Sequence, residues 1–144
     1  RKLFTMRVRA YASSQYVRRF GAPQSMQQLD AEGHRFVSHS GIPAFHLTQI
    51  QSLETLERDN QGPRVPAFRV NSVMAMKYAI RSGLGIGLLP DYLTEEEKDL
   101  LPVLDEVEMP SLPIIFVYPE ELRSSKKVQV LRDFLVAQAR SWKH

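Results

Sequence analysis

Residues 79–93, AIRSGLGIGLLPDYL, place three glycines at alternate positions, Gly83, Gly85 and Gly87. A dinucleotide-binding fingerprint needs a strand before its glycines, a helix after them and the spacing G-x-G-x-x-G. Here a helix precedes the glycines, an apolar strand follows them, and the third glycine comes one residue too early. The stretch therefore predicts a helix that ends at Gly83 in a left-handed conformation, followed by a tight turn that Gly85 relieves. A strand follows, and the missing side chain of Gly87 lets a neighbouring backbone or helix approach it closely.

The helix before these glycines begins at Asn71 or Ser72, either of which is a preferred cap, and runs to Ser82. Its only strongly polar interior positions are Lys77 and Arg81, which lie four apart on one face. Most of the remaining helix surface must therefore be covered by protein.

Two strand-helix units precede this region. The stretch MRVRAYA alternates apolar and basic residues as a half-buried strand does, and SSQYVRRFGAP predicts a helix opened by Ser13 or Ser14. Ser25 and Gln28 then stand at capping-box spacing, and RFVSHS predicts a second strand.

The remaining stretches are predicted as a hairpin, one short helix, two strands and a final helix. Residues 44–70 read as the hairpin, and Thr94 with Glu97 forms a capping box that predicts the short helix. LPVLDEVEM and LPIIFVYP are the two strand candidates. The apolar face of the final amphipathic helix carries Val128, Leu131, Leu135 and Trp142. Strands that alternate with helices predict an α/β architecture with mostly parallel pairing.

Composition limits the class of protein. The 144 residues are 43% hydrophobic and 24% charged, which fits one globular domain or two small lobes. No apolar run approaches the length of a membrane helix, and the absence of cysteine excludes disulfides and thiolate chemistry. The cytoplasm is the expected location. The net charge of +3 is spread along the chain, so it argues only weakly for nucleic-acid binding by this segment.

Catalytic and metal chemistry find little support. His34, His39 and His46 are spaced five and seven residues apart, whereas a zinc site favours tighter spacing or nearby cysteine and aspartate. The charge run TEEEKD reads as a solvated helix start, and no serine lies in a G-x-S-x-G context. We therefore expect a protein that is not an enzyme, with no catalytic residue, metal or cofactor.

The helix starts at Asn71–Ser72 and at Ser13–Ser14 follow strands directly and present free amides. In an open parallel sheet, both would lie at the carboxyl ends of strands, where such folds bind ligands. Each helix start alone is better explained as an ordinary cap, because caps are far commoner than ligand sites, but two that converge would be harder to explain in that way.

Three stretches together resemble the effector-binding domain of LysR-type transcriptional regulators. They are MRVRAYASSQYVRRFGAPQSMQQLDAEGHRFVSHSG, FRVNSVMAMKYAIRSGLGIGLLPDYL and LPIIFVYPEELRSSKKVQVLRDFL, and they cover nearly the whole chain. The resemblance implies an α/β, periplasmic-binding-protein-like (type 2) fold of two lobes. Residues 1–112 would form lobe II with its hinge, and residues 113–144 would return to lobe I. It also implies that the winged helix-turn-helix and the first part of lobe I lie upstream of Arg1.

The resemblance implies an effector site between the lobes for a small polar or anionic molecule. The implied residues are Ser13, Ser14, Ser38, His39, Ser40, Gly41, Asn71, Ser72 and Val73. His39 would either sense the charge of the effector or serve a structural role. DNA would be bound only through the domain missing upstream, in a homodimer or homotetramer. The alternative with the same fold is a solute-binding protein of a transport system.

Overall fold

The computed structural model describes residues 1–40, 53–109 and 111–141. They belong to two compact units, one of Val8–Pro110 and one of Arg1–Arg7 with Ser111–His144. The strands are β1 (Lys2–Ser13), β2 (Val37–His39), β3 (Phe68–Val70), β4 (Gly87–Pro90), β5 (Leu100–Val103) and β6 (Ser111–Ile115). The helices are α1 (Ser14–Phe20), α2 (Met26–Ala31), α3 (Val73–Arg81) and α4 (Lys126–Ser141), with short 3₁₀ turns at Asp91–Leu93 and Glu120–Leu122. No helix in these ranges is long and apolar enough to cross a membrane.

The larger unit contains a sheet with the strand order β3-β2-β4-β1-β5. Strands β2 and β3 pair in parallel, and a parallel bridge between Phe36 and Ile86 joins β2 to the start of β4. Strand β1 runs antiparallel to both of its neighbours, β4 and β5. The α/β class is confirmed, and every strand of this sheet except β1 points the same way.

Successive side chains of a strand point to opposite faces of the sheet, so this unit has a buried apolar cluster on each face. Helix α3 covers one face, where Tyr11, Val37, Met76, Ala79, Ile80, Leu89 and Leu100 are buried together. On the other face, residues of α1, α2 and the turn at residues 53–56 pack on the sheet. The buried residues there are Ala10, Ala12, Tyr16, Met26, Leu29, Phe36, Leu53, Leu56, Ile86, Val103, Leu104 and Val107.

Helix α3 ends as the glycine pattern predicted. Gly83 has φ +80°, and its N–H donates to the carbonyl of Ile80 at 3.0 Å while the N–H of Leu84 donates to that of Ala79 at 3.2 Å. This pair of bonds is the Schellman arrangement, which needs a left-handed residue. A Cβ on Gly87 would stand 2.6 Å from Cδ1 of Ile80, which confirms that this glycine lets α3 approach the strand closely.

Gly85 has a different role from the predicted one. A Cβ there would lie 2.6 Å from the carbonyl oxygen of Arg35 and 3.0 Å from the amide nitrogen of Phe36. The absent side chain therefore makes room for the backbone leading into β2, and the relief of a tight turn is not the reason for this glycine.

The predicted starts of the first two helices are confirmed. Ser13 caps α1 by accepting from the N–H of Tyr16 at 3.1 Å, and Ser25 caps α2 by accepting from the N–H of Gln28 at 3.2 Å. The side chain of Gln28 reaches back and accepts from the N–H of Gln24.

Two local predictions were wrong. No helix follows Thr94, because residues 94–99 form turns and the carboxylate of Glu97 lies 2.6 Å from Nζ of Lys77 and 3.6 Å from Nη1 of Arg81. The bond from Lys77 is the main cause that lowers the pKa of Glu97. The hairpin over residues 44–70 fails in its described part, because β3 pairs in parallel with β2 and residues 53–57 form turns. Residues 44–52 lie outside the described ranges.

In the smaller unit, β6 pairs antiparallel with the first half of β1, and α4 is the predicted final helix. Helix α4 exposes apolar side chains, with Val130 69%, Leu131 49% and Phe134 57% accessible. Trp142 lies beyond the described residues.

Candidate functional site

The carboxyl ends of β2 and β3 meet the start of α3 at one edge of the sheet. The register pairs His39 with Val70, and the N–H of Ser40 donates to the carbonyl of Val70 at 2.6 Å. Asn71 and Ser72 follow at once, and Ser72 is the residue that caps α3. The structure thus brings together five of the nine predicted residues: His39, Ser40, Asn71, Ser72 and Val73.

The start of α3 is open to solvent. Asn71, Ser72 and Val73 are exposed, and the Ser72 hydroxyl accepts from the N–H of Ala75 at 3.4 Å, a long hydrogen bond. The first N–H groups of a helix have no partner within the helix, and the helix dipole favours negative charge beside them. This edge can therefore receive an anion or a hydrogen-bond acceptor.

His39 adds a polar atom without a partner. Its Nδ1 is buried and is the one such side-chain atom without a hydrogen bond in the part of the chain that the structure describes. Because side chains alternate along a strand, His39 lies on the same face of the sheet as Val37, which packs beneath α3. Gly41, the next predicted site residue after Ser40, lies outside the described residues.

Ser38 lies on the opposite face and is already engaged. It is 5% exposed, and its hydroxyl donates to the carboxylate of Glu54, which also accepts from Nη2 of Arg69 at 2.9 Å. Burial raises the pKa of Glu54, but the hydrogen bonds from Arg69 and Ser38 outweigh it, so the pKa is lowered overall. Sequence reasoning missed Glu54 because FHLTQIQSLETL fits neither helix nor strand periodicity. Arg69 lies in RVPAFRV, which alternates like an edge strand, but that pattern gave it no role in the site.

Ser13 and Ser14 are not at this edge. Strand β1 runs antiparallel to its neighbours, so its carboxyl end lies beside the start of β4. The Ser13 hydroxyl is 3.5 Å from the place where a Cβ on Gly83 would stand, at the far end of α3. Helix α3 has nine residues and is therefore about 14 Å long. The prediction that both helix starts converge assumed a parallel β1 and was wrong on this point.

These two serines also have structural partners. The Ser13 hydroxyl accepts from the N–H of Tyr16, and the N–H of Ser14 donates to the carbonyl of Asp99 at 2.8 Å. The reading as an ordinary cap therefore suffices for this helix start.

Asp91 stands at the carboxyl end of β4, on the same edge as the start of α3. Its carboxylate accepts from the hydroxyl of Tyr11 at 3.2 Å and lies 3.5 Å from Nε of Arg9. Burial is the main cause that raises the pKa of Tyr11. Sequence reasoning passed over this group, and the only signal for it was an aspartate directly after a predicted strand.

The histidines in the described ranges do not form a metal centre. No three histidine, aspartate or glutamate side chains cluster there as metal ligands could. His34 instead lies 3.0 Å from the hydroxyl of Tyr16 through Nδ1 and 3.0 Å from the carboxylate of Glu32 through Nε2. His46 is outside the described residues.

Comparison with known proteins gives a consistent family. Among curated proteins, the HTH-type transcriptional regulator CrgA of Neisseria meningitidis serogroup C (strain 8013) is 29% identical over 144 residues, a match that covers 94% of this chain and 45% of CrgA. The chain therefore spans less than half the length of this relative.

Solved structures agree on the fold. The regulatory domain of CrgA from Neisseria meningitidis matches with a TM-score of 0.77 at 28% identity, over 96% of this chain and 67% of that one. The regulatory domain of AphB from Vibrio vulnificus matches with a TM-score of 0.70 at 22% identity, over 95% of this chain and 68% of that one. The periplasmic-binding-protein-like fold is thereby confirmed. The family profile of the LysR substrate binding domain matches residues 1–140, and the chain belongs to that family.

Proposed function

We propose that this chain is the effector-binding part of a LysR-type transcriptional regulator and that it binds a small polar or anionic molecule beside the start of α3. The observation that carries the proposal is the meeting of the ends of β2 and β3 with the open start of α3, joined by the bond from Ser40 to Val70. The proposed contact residues are His39, Ser40, Gly41, Asn71, Ser72 and Val73. Ser38 would act indirectly, through Glu54.

The electrostatics of this edge favour an anion. Two carboxylates lie on elements that reach this edge: Glu54, bonded to Ser38 of β2, and Asp91, directly after β4. Each is held beside an arginine. Their charges are thus largely compensated, and the dipole of α3 adds positive potential where a ligand would sit. The unpartnered Nδ1 of His39 can donate to an oxygen or accept from a hydroxyl, according to its tautomer.

The proposed mechanism is a shift between conformations. An effector that binds one conformation of the domain better than another changes the population of the two, and an oligomer passes this change to its DNA-binding domains. We propose residues 1–112 as lobe II and residues 113–144 as the return to lobe I. DNA contact would belong to a domain outside this sequence, in a cytoplasmic homodimer or homotetramer.

The competing functions are a solute-binding protein of a transport system and an enzyme. The curated relative is a transcriptional regulator, and the two structures above are regulatory domains, which favours sensing for regulation over transport. No catalytic role is proposed, because Ser72 at this edge is a capping residue and the two carboxylates there are compensated by arginines.

Ser72→Ala is expected to weaken anion binding by removing a polar group at the start of α3. The matched control is Ser25→Ala, which removes the cap of α2, where no ligand is proposed. Both variants lose an N-cap, so each should lose about 0.5–2 kcal/mol of stability. The measurement is the rise in melting temperature of the 144-residue chain on adding sodium sulfate or sodium succinate, against sodium chloride of equal ionic strength.

A bound anion raises stability in proportion to ln(1 + [L]/Kd), so a weaker site shows a smaller rise. We expect the wild type and Ser25→Ala to gain equally and Ser72→Ala to gain less than about half as much. Sulfate also stabilises proteins without a site, and this general effect is common to all three proteins. Equal gains in all three would contradict an anion site at α3.

A further inference from the structure

Ser38 of β2 and Arg69 of β3 bind one carboxylate together, that of Glu54. The register of these parallel strands pairs the two residues, and their neighbours Val37 and Val70 pack with the buried cluster under α3. The side chains of Ser38 and Arg69 therefore lie side by side on the opposite face of the sheet. We call these two residues the carboxylate receptor.

The carboxylate receptor matches a carboxylate in geometry and in charge. Nη2 of Arg69 donates to Oε2 of Glu54 at 2.9 Å, and a longer bond of 3.4 Å joins Nε to Oε1. The hydroxyl of Ser38 donates to the same Oε1. A guanidinium that engages both oxygens of a planar carboxylate recognises that group specifically, and the buried hydroxyl needs an acceptor there. Any carboxylate in the place of Glu54 would satisfy the same donors and compensate the same charge.

The carboxylate of Glu54 can leave the receptor without unfolding of the chain around it. The backbone of Glu54 is held, because its carbonyl accepts from the N–H of Arg64 at 2.8 Å and the side chains of Leu53 and Leu56 are buried. The side chains of Glu54 and Arg69 reach the solvent, with 17% and 55% of their surface accessible. Rotation of the Glu54 side chain alone therefore brings its carboxylate into water and opens the receptor.

We propose that Glu54 is an internal competitor for a ligand that carries a carboxylate, and that the two exchange at the carboxylate receptor. Ser38 acts through Glu54 while that side chain is in place and contacts the ligand directly once it has left. The apparent affinity falls in proportion to the fraction of molecules whose receptor is open, so Glu54 sets the ligand concentration at which the domain responds. The inference rests on the proposed function for an anionic ligand, but it does not involve the start of α3.

The test is the rise in melting temperature of the 144-residue chain in about 1–100 mM sodium acetate, against sodium chloride of equal concentration. Every protein carries Ser72→Ala, so that acetate at the start of α3 contributes less. To this reference we add Glu54→Gln, Arg69→Gln, or both. Glutamine keeps the size of Glu54 and still offers an acceptor to Arg69, and Arg69 itself is exposed, so each variant should fold. Far-ultraviolet circular dichroism without acetate checks this.

The matched control is Arg123→Gln in the same reference chain. Arg123 is also an exposed arginine that pairs with a glutamate, with Nη1 3.0 Å from the carboxylate of Glu120. Its removal takes away the same charge and the same kind of ion pair, but it leaves the carboxylate receptor intact. The response of this control to acetate should equal that of the reference chain.

Glu54→Gln should reach a given rise at about a tenfold lower acetate concentration than the reference, because a neutral amide competes less strongly for the receptor than a carboxylate does. Adding Arg69→Gln should abolish this gain, since acetate then loses its charged partner. Arg69→Gln alone should respond less than the reference and less than Arg123→Gln.

Equal responses of the reference and Glu54→Gln would overturn the exchange and leave the three side chains as a structural ion pair only. A gain that survives the addition of Arg69→Gln would overturn it as well, because acetate would then bind elsewhere. The anion site at α3 is judged separately, by whether Ser72→Ala lowers the gain that the wild type shows in sulfate. Failure of one proposal is therefore distinguishable from failure of the other.

Discussion

Gly85→Ala is expected to lower the free energy of unfolding by about 3 kcal/mol, the upper end of the usual cost of overpacking. The new methyl group would stand 2.6 Å from the carbonyl oxygen and 2.9 Å from the carbonyl carbon of Arg35. These are backbone atoms, and the same carbonyl accepts from the N–H of Ile86 in the bridge between β2 and β4. No rotation of a side chain can relieve the clash. Urea denaturation followed by circular dichroism measures the loss.

Gly62→Ala is the matched control. A Cβ on Gly62 would meet no atom within 4 Å, and its φ lies outside the left-handed region. The free energy of unfolding of this variant should change by less than about 1 kcal/mol, because alanine can adopt the backbone conformation of Gly62 and mainly restricts the unfolded chain. Equal stability of the Gly85 and Gly62 variants would show that β2 and β4 do not approach as closely as described.

Arg64→Met is expected to cost about 3 kcal/mol, because it removes a buried cation that satisfies several acceptors. Arg64 is 8% exposed and forms a bidentate pair with Asp30, with Nε 2.6 Å from Oδ1 and Nη2 2.8 Å from Oδ2. Its Nη1 also donates to the carbonyls of Leu53 and Leu56. Methionine fills a similar volume but leaves these carbonyls without their donor. Urea denaturation again measures the difference.

Arg58→Met is the control for Arg64→Met, because Nη1 of Arg58 lies 3.9 Å from the same carboxylate of Asp30 but its own hydrogen bonds are exposed. An exposed ion pair contributes at most about 1 kcal/mol, so this variant should lose far less. Similar losses in the two variants would contradict a special role for the buried arginine.

The pH dependence offers a second check on the pair of Asp30 and Arg64. The hydrogen bond from Arg64 is the main cause that lowers the pKa of Asp30. A carboxyl with a lowered pKa contributes stability above its unfolded pKa of about 3.9, and this contribution is lost as the pH falls through the folded pKa. The stability difference between the wild type and Arg64→Met should therefore narrow below about pH 4. A difference that stayed constant to pH 2 would contradict the ion pair.

Helix ends and helix caps could be predicted where they depend only on residues close together in the sequence. The Schellman end of α3 at Gly83 and the caps at Ser13, Ser25 and Ser72 depend on residues at most a few positions apart. The capping box at Thr94 failed although it is the same kind of signal. At that position the carboxylate of Glu97 forms ion pairs with Lys77 and Arg81 instead of the predicted capping-box hydrogen bond. Partners distant in the sequence thus outweigh the local hydrogen bond.

The candidate site was predicted in part. The β2–β3–α3 edge is assembled from residues that sequence reasoning selected, and the ligand role of His39, Ser40 and Asn71–Val73 stays a prediction. The engagement of Ser38 by Glu54 was not foreseen, because a pattern of small polar residues does not reveal which of them point to the solvent.

The sequence by itself determined where α1, α2 and α3 begin, where α3 ends, and the family to which the chain belongs. Only the tertiary structure decided the direction of β1, and with it that Ser13 and Ser14 lie about one helix length from Ser72. The physical reason is that side chains alternate between the two faces with the same period in parallel and antiparallel strands. The apolar pattern therefore shows which face of a strand is buried, but it does not show in which direction the strand runs relative to its neighbours.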